Sequence, residues 1–308
     1  MAWSAHDIPD QSGKIAVITG ANSGLGFEAA RELARKGATV VMAVRNTDKG
    51  GAAVTRIKAE IPDANLQLRK LDLGSLDSVR AFAARVTDEH DHLDILLNNA
   101  GLMATPASQT RDGFETQVGT NHFGHFVLTE ELMPALEAAG AARVVTITSM
   151  ARVQGSSLTE EKTRLGAEYD PWRAYGDSKL ANYQFGIELS RRLAAAGSSV
   201  MSLVAHPGIS HTNLQVATVE NAGTGISGRF WQYTARYLGM SPLGGALPGL
   251  RAATDPKAGN GQVYGPRWNF RGAPVQIGLE SSRAKPEETA RMWSISEAQT
   301  GTVFSLGG

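Results

Sequence analysis

The chain has no cysteine among its 308 residues. Disulfides, thiolate metal sites and cysteine nucleophiles are therefore excluded. Net charge is absent too: thirty basic residues cancel thirty acidic ones, so no global field points to nucleic acid or an anionic membrane. No apolar run is long enough to span a bilayer, and the start Met1-Ala2-Trp3-Ser4-Ala5-His6-Asp7 lacks a signal-peptide pattern. A cytoplasmic location is the expectation. The seven histidines include no His-Glu-x-x-His, so no metal is expected. Repeats, low-complexity segments and linker-like runs are missing as well. Length alone suggests about two domains, but one α/β sheet with helices on both faces can absorb residues 1–308. Glycine is what the chain has in excess, 34 of 308 against about 7% in average proteins, which suits many tight strand–helix turns.

Residues 14–36 organise the rest. After a polar lead-in over 1–13, the β-branched run Ile15-Ala16-Val17-Ile18-Thr19 suits a buried strand. It breaks into Gly20-Ala21-Asn22-Ser23-Gly24-Leu25-Gly26 and continues as a helix with Phe27, Ala30, Leu33 and Ala34 at helical spacing. Gly37 supplies the stop. The start of such a helix leaves amides unpaired and its dipole favours an anion, while glycines let a pyrophosphate approach the backbone. The spacing is Gly-x3-Gly-x-Gly rather than Gly-x-Gly-x-x-Gly.

Alternating strand and helix signals follow, predicting a parallel sheet with right-handed crossovers. Thr39–Val44 is a second β-rich run. At such a strand end an acid would hold a ribose 2′-hydroxyl, whereas an arginine accommodates a 2′-phosphate. No Asp or Glu stands in 39–47 and Arg45 does, so NADP(H) is expected over NAD(H). A helix is predicted over 48–60 before Pro62, a strand over 66–71 followed by Asp72 and Leu73, and a helix over 76–86. The fourth strand, 93–97, ends in Asn98-Asn99-Ala100-Gly101. Asparagines tolerate turn geometry and Gly101 lets backbone approach a ribose. Asn98 reads equally as structural, and Asn99 and Ala100 as cofactor contacts. Residues 114–139 read as one long helix carrying Asn121-His122-Phe123-Gly124-His125-Phe126, although an Asn inside a helix costs propensity. His122 and His125 read as packing or surface residues. The fifth strand, 142–149, places Ser149 at its C-terminal end, where active-site residues of open α/β sheets gather. In a helix, Tyr175 and Lys179 share a face one turn apart. A free tyrosine has a pKa of about 10, and an ammonium beside it favours phenolate, bringing proton transfer toward neutral pH.

These motifs carry a resemblance. Thr19-Gly20-Ala21-Asn22-Ser23-Gly24-Leu25-Gly26 is similar to the TGxxxGxG turn of the short-chain dehydrogenases/reductases. Asn98-Asn99-Ala100-Gly101, Asn121, Ser149, Tyr175 with Lys179, and His206-Pro207-Gly208-Ile209-Ser210-His211-Thr212 after a strand over 199–205 stand in that family's order. The resemblance implies a single doubly wound parallel sheet, the Rossmann fold. It implies reversible hydride transfer between a nicotinamide cofactor and a carbonyl/alcohol pair, with Asn121, Ser149, Tyr175 and Lys179 as the catalytic tetrad. It also implies cofactor contacts from Gly20, Ser23, Gly24, Leu25, Gly26, Asp72 (at the adenine), Leu73, Asn99, Ala100, Gly101, Pro207, Gly208, Ile209 and Thr212. Asn121 would kink its helix and fix a water beside Lys179, and Lys179 would also bind the nicotinamide ribose.

The stretch between Ser149 and Tyr175, polar over 151–169, resembles the longer loop of retinol-dehydrogenase-like members. Protochlorophyllide reductases share much of the pattern but use a cysteine, which this chain lacks. Residues 209–284 read as a variable, substrate-covering region; Leu214, Val216, Phe230, Trp231, Tyr233, Tyr237, Leu238 and Met240 suggest a bulky apolar substrate, with core or subunit packing as the rival reading. Pro286–Thr300 reads as a final helix ended by Gly301. The expected partner is a small carbonyl or alcohol; a homo-oligomer stays open. Rival activities are an NAD(H)-linked alcohol dehydrogenase and a dinucleotide sensor without turnover, although a sensor needs no Tyr–Lys pair.

Overall fold

The computed structural model describes residues 2–209 and 239–306. Eight strands form one sheet: β1 (Ile15–Thr19), β2 (Thr39–Val44), β3 (Leu66–Lys70), β4 (Ile95–Asn98), β5 (Arg143–Ile147), β6 (Met201–Ala205), β7 (Val263–Pro266) and β8 (Pro274–Ile277). Their spatial order is β3-β2-β1-β4-β5-β6-β7-β8. All neighbours pair in parallel except β7 and β8, which form an antiparallel edge hairpin. The order reverses between β1 and β4, and the crevice at such a switch point is where ligands of doubly wound sheets bind.

Strand period two sends alternate residues of β1 to opposite layers. Ala16 and Ile18 join one core with Phe27, Leu33 and Ile57 of α1 (Gly24–Arg35) and α2 (Thr47–Glu60). Val17 joins the other with Phe82 of α3 (Leu76–Glu89). The lead-in is less passive than its polarity suggests, since Ile8 is buried in the first layer.

Local signals place most helix ends. The Asn46, Ser75 and Asp170 side chains accept backbone amides at the starts of α2, α3 and the long helix that follows β5. The final helix, Pro286–Thr300, stops at Gly301, whose φ of 66° is left-handed.

One expectation needs correction. Residues 114–139 are not one uninterrupted helix. They comprise α4 (Thr116–Val118), a π-turn over Gly119–Phe123, α5 (Gly124–Glu131) and α6 (Met133–Ala138). The apolar pattern is the same for either arrangement, so periodicity cannot reveal the wide turn; Pro134 opens α6. After α7 (Pro171–Ala195) and β6 comes the stretch 209–284. Its described part contains α8 (Pro242–Thr254) and both strands of the edge hairpin. α8 carries Pro248 and several glycines and so scores poorly as a helix, yet a Cβ on Gly249 would come within 3.1 Å of Ile147 Cδ1. Close packing on the sheet overrides propensity there. α9 (Pro286–Thr300) closes the opposite layer, with the Trp293 ring 5.1 Å from Phe126, 5.8 Å from Phe185 and 4.6 Å from Phe304.

Candidate active site

Thr19, at the end of β1, is the hub on which the switch point is built. Its hydroxyl accepts the amides of Asn99 and Ala100, both at 2.9 Å, and lies 2.9 Å from His125 Nε2. With two amides donating to it, the hydroxyl gives its own proton to Nε2. His125 Nδ1 then carries the hydrogen and donates to the Asn121 carbonyl at 2.9 Å. Burial holds His125 neutral, its pKa brought down to about 4. The glycine turn, the end of β4 and the π-turn are thereby tied together in the interior.

Gly20 and Gly24 have φ of 68° and 54°, values that favour glycine. Gly26 is forced by contact: a Cβ there would sit 2.4 Å from the Gly20 carbonyl oxygen and 2.6 Å from Asn99 Nδ2. Ser23 caps α1 by position, but its side chain makes no cap hydrogen bond, so the first amides of α1 keep their donors. Leu25 lies on the same first turn. Asn99 donates its side-chain amide to the Thr19 carbonyl at 2.8 Å, and Asn98 is buried against Thr129 at 2.9 Å. Both asparagine side chains therefore build the turn.

Asn121 sits in the π-turn with its side chain committed. Oδ1 accepts Leu102 N at 2.7 Å, and Nδ2 donates to the Leu102 carbonyl and to Ser178 Oγ, each at 2.9 Å. Gly101 lies in front of it; a Cβ there would be 3.2 Å from both Asn121 Oδ1 and Lys179 Nζ. Tyr175 and Lys179 follow on α7, whose start Asp170 caps through the amides of Trp172 and Arg173. The Thr148 hydroxyl donates to the Lys179 carbonyl at 2.6 Å, anchoring α7 to the end of β5. Ser149 begins a 3-10 turn, Met150–Val153, where its hydroxyl accepts Ala151 N at 3.2 Å and is near enough to the Tyr175 phenol to lower that group's pKa.

The electrostatics differ from the simple picture of a lysine lowering a tyrosine. Burial pushes the Tyr175 phenol above its ordinary value, and the Ser149 hydrogen bond pulls it partly back. Lys179 Nζ lies 6.0 Å from the Tyr175 ring centroid and donates to the Ile147 carbonyl at 3.3 Å. Burial lowers its pKa to about 8. The lysine is therefore a weakened cation beside a protonated phenol, an arrangement poised to give a proton to a carbonyl oxygen.

The remaining expected contacts are spread along the same edge of the sheet. Arg45 is exposed just beyond β2. Asp72 accepts Gly74 N at 3.0 Å within its own loop, a turn-building role common for Asp at such positions. Leu73 is buried, its carbonyl oxygen 2.5 Å from where a Cβ of Gly124 would stand. Pro207, Gly208 and Ile209 follow β6; Gly208 has φ of 66° and Ile209 N donates to the Phe270 carbonyl at 2.9 Å. Thr212 and the residues 214–238 lie outside the described residues. Sequence reasoning overlooked Thr19 as a site-builder and read His125 as a packing or surface residue. His125 carries a readable signal, lying four residues after a mid-helix Asn.

With this geometry in view, the comparisons are direct. The short chain dehydrogenase family pattern matches residues 14–223. The chain belongs to that family, and it resembles the family's retinol dehydrogenases. Retinol dehydrogenase 13 of Homo sapiens is 43% identical over 202 residues, 66% of this chain, and the match spans 60% of that relative's length. A crystal structure of a putative uncharacterized protein from Mycobacterium Paratuberculosis superposes with a TM-score of 0.81 at 42% identity, covering 99% of this chain and 100% of the other. A putative NAD(P)-dependent gluconate 5-dehydrogenase from Beutenbergia cavernae, solved with NADP, gives a TM-score of 0.65 at 27% identity over 82% of this chain and 95% of its own.

Proposed function

We propose that the chain catalyses reversible, NADP(H)-dependent hydride transfer on the carbonyl/alcohol pair of a bulky apolar substrate. The observation that carries this is that Asn121 and Lys179 meet at Gly101, next to the glycine turn, with the Tyr175 ring beside Lys179 and Ser149 beside Tyr175. The residues suit the cofactor. α1 starts without a side-chain cap whereas α2, α3 and α7 have one, so the amides at Gly24, Leu25 and Gly26 serve a pyrophosphate. Arg45, with no acid from 39 to 47, suits a 2′-phosphate. Asp72, Leu73, Asn99, Ala100, Gly101, Pro207, Gly208 and Ile209 line the same edge. The bound cofactor supplies or takes the hydride.

The chain's own groups do the rest. Ser149 holds the substrate oxygen, and Tyr175 donates the proton in reduction and removes it in oxidation. Lys179 binds the nicotinamide ribose and supports Tyr175, and Asn121 holds the wall behind Lys179 through which the proton is replaced. A bulky apolar substrate is supported by the retinol dehydrogenases among the relatives. Among the described residues no helix is long and apolar enough to cross a membrane.

The test follows NADPH absorbance with retinaldehyde, nonanal and cyclohexanone, alongside calorimetric binding of NADPH and NADH. Retinaldehyde should give the highest kcat/KM. NADPH should bind about tenfold tighter than NADH, and Arg45→Ala should erase most of that difference. Tyr175→Phe should lower turnover by about 10²–10⁴-fold with cofactor affinity nearly unchanged. Near-normal turnover by Tyr175→Phe would overturn the mechanism; equal affinities in the unaltered protein would overturn the cofactor assignment.

A further inference from the structure

Three residues beyond Ser149 the chain buries an arginine. Arg152 is 1% exposed, a rare state for a guanidinium. One of its terminal nitrogens donates to the Ser149 carbonyl at 3.0 Å and the other pairs with Glu280, which follows the edge hairpin. The guanidinium carbon lies 5.3 Å from the centroid of the Tyr183 ring. Tyr183 in turn accepts the Glu280 amide at 2.8 Å. Tyr175, Lys179 and Tyr183 are spaced i, i+4, i+8 on α7, so Arg152 and Glu280 sit on the helix face that carries the proposed proton donor.

The segment after β8 grips the Ser149 loop a second time. Arg283 donates to the Gly155 carbonyl at 2.8 Å and to the Val153 carbonyl. The loop also lies directly on α7: a Cβ on Gly155 would stand 2.4 Å from the Gly176 carbonyl oxygen.

We propose that Arg152, held by Glu280 and Tyr183, is a positioning residue that sets the Ser149 hydroxyl against Tyr175. This rests on the functional reading above. A buried ion pair is a poor device for stability alone, because an apolar residue of similar volume often serves as well. A forked guanidinium anchored to a carboxylate, a ring and one backbone carbonyl does something an apolar residue does not: it adds a second, side-chain hold on the Ser149 carbonyl, which the Arg152 amide already reaches at 3.1 Å. Sub-ångström placement matters at a proton-transfer site, since a displacement of about 1 Å can cost on the order of 10²-fold in rate.

The test uses the full chain with retinaldehyde, nonanal and cyclohexanone, scoring whichever turns over fastest, and NADPH binding measured separately. Arg152→Met should lower kcat at least tenfold while NADPH Kd stays within twofold. The pH midpoint of alcohol oxidation should rise, because the phenol loses the Ser149 hydrogen bond. Arg152→Lys, which keeps the charge but not the fork, should fall between. If Arg152→Met does not fold, Glu280→Ala decides, because Glu280 is partly exposed and tolerates truncation; it should lower kcat at least threefold with NADPH Kd unchanged. Unchanged kcat in the deciding variant, or a parallel loss of cofactor binding and rate with no change in pH midpoint, overturns the proposal. Tyr175→Phe, run in parallel, separates the two readings: an active Tyr175→Phe defeats the functional reading, whereas an inactive Tyr175→Phe beside a normal Arg152→Met defeats only the positioning role.

Discussion

Lys179 is buried without a carboxylate among the described residues to pair with it, and desolvation alone accounts for its lowered pKa of about 8. Such a group works against folding. At pH 7 it stays charged in both states, and the folded state bears a desolvation cost of about 3 kcal/mol. That cost disappears as pH climbs from about 8 through the ordinary lysine value of 10.5, because the folded state sheds its proton first. Lys179→Met is therefore expected to abolish turnover yet stabilise the cofactor-free protein toward urea at neutral pH, with the gain shrinking by pH 10. The Ile147 carbonyl would not be orphaned, since Asn182 also donates to it at 3.3 Å. Equal destabilisation at both pH values would show that packing, not desolvation, governs this lysine. The same balance explains why the sequence misjudged Tyr175. The one-turn spacing of Tyr175 and Lys179 was readable, but the depth at which the fold buries both was not, and depth decides the direction of the shift. Arg152 escaped notice for the same reason, because nothing local marks a charge for burial.

Among the elements, α1 and α2 show what a glycine does inside a helix and how far sequence reveals it. Gly26 meets the Gly20 carbonyl, whereas nothing lies within 4 Å of where a Cβ on Gly51 would be. Gly51→Ala in α2 should therefore raise stability by about 0.5–1 kcal/mol. Gly26→Ala should cost about 1–3 kcal/mol by forcing α1 off β1, and should also lose NADPH binding. Urea titrations of both variants check this, and a stabilised Gly26→Ala would refute the contact argument. Elements with local punctuation were legible: the glycine turn, and Pro286–Thr300 with its left-handed Gly301. Elements decided by tertiary contact were not. The π-turn at Asn121 keeps the apolar pattern of an ordinary helix, and α8 folds despite Pro248 because it packs on the sheet. The antiparallel β8 follows a parallel series that gives no warning of it.

At the scale of the whole molecule, the two core layers and the switch point between β1 and β4 enclose three neutral histidines. His122 donates to or accepts from Ser296 at 2.7 Å in the layer closed by α9. His125 bridges Thr19 and Asn121, and His206 ends β6 with its Nδ1 accepting Gly208 N at 3.3 Å. Burial brings their pKa values down to about 3, 4 and 3. In the unfolded chain each returns to the ordinary value of about 6.5. Below that value the unfolded state takes protons the folded state refuses, so stability falls as pH falls. By pH 5 each histidine should have removed about 2 kcal/mol, together about 6 kcal/mol. A typical domain has only about 5–15 kcal/mol in total. Glu28, Glu115 and Glu130, whose pKa values burial raises, act in the opposite direction by taking up protons first in the folded state. They do so between their raised values and the ordinary one of 4.5, and so offset part of the histidine effect at the lower end of the window. The unfolding free energy from urea titrations should drop between pH 6 and 5 with a slope of about three protons, and His206→Gln should reduce that slope by about one. A slope below one proton in the unaltered protein would mean that these imidazoles accept charge inside the fold, and the neutral Thr19–His125–Asn121 chain at the switch point would have to be redrawn.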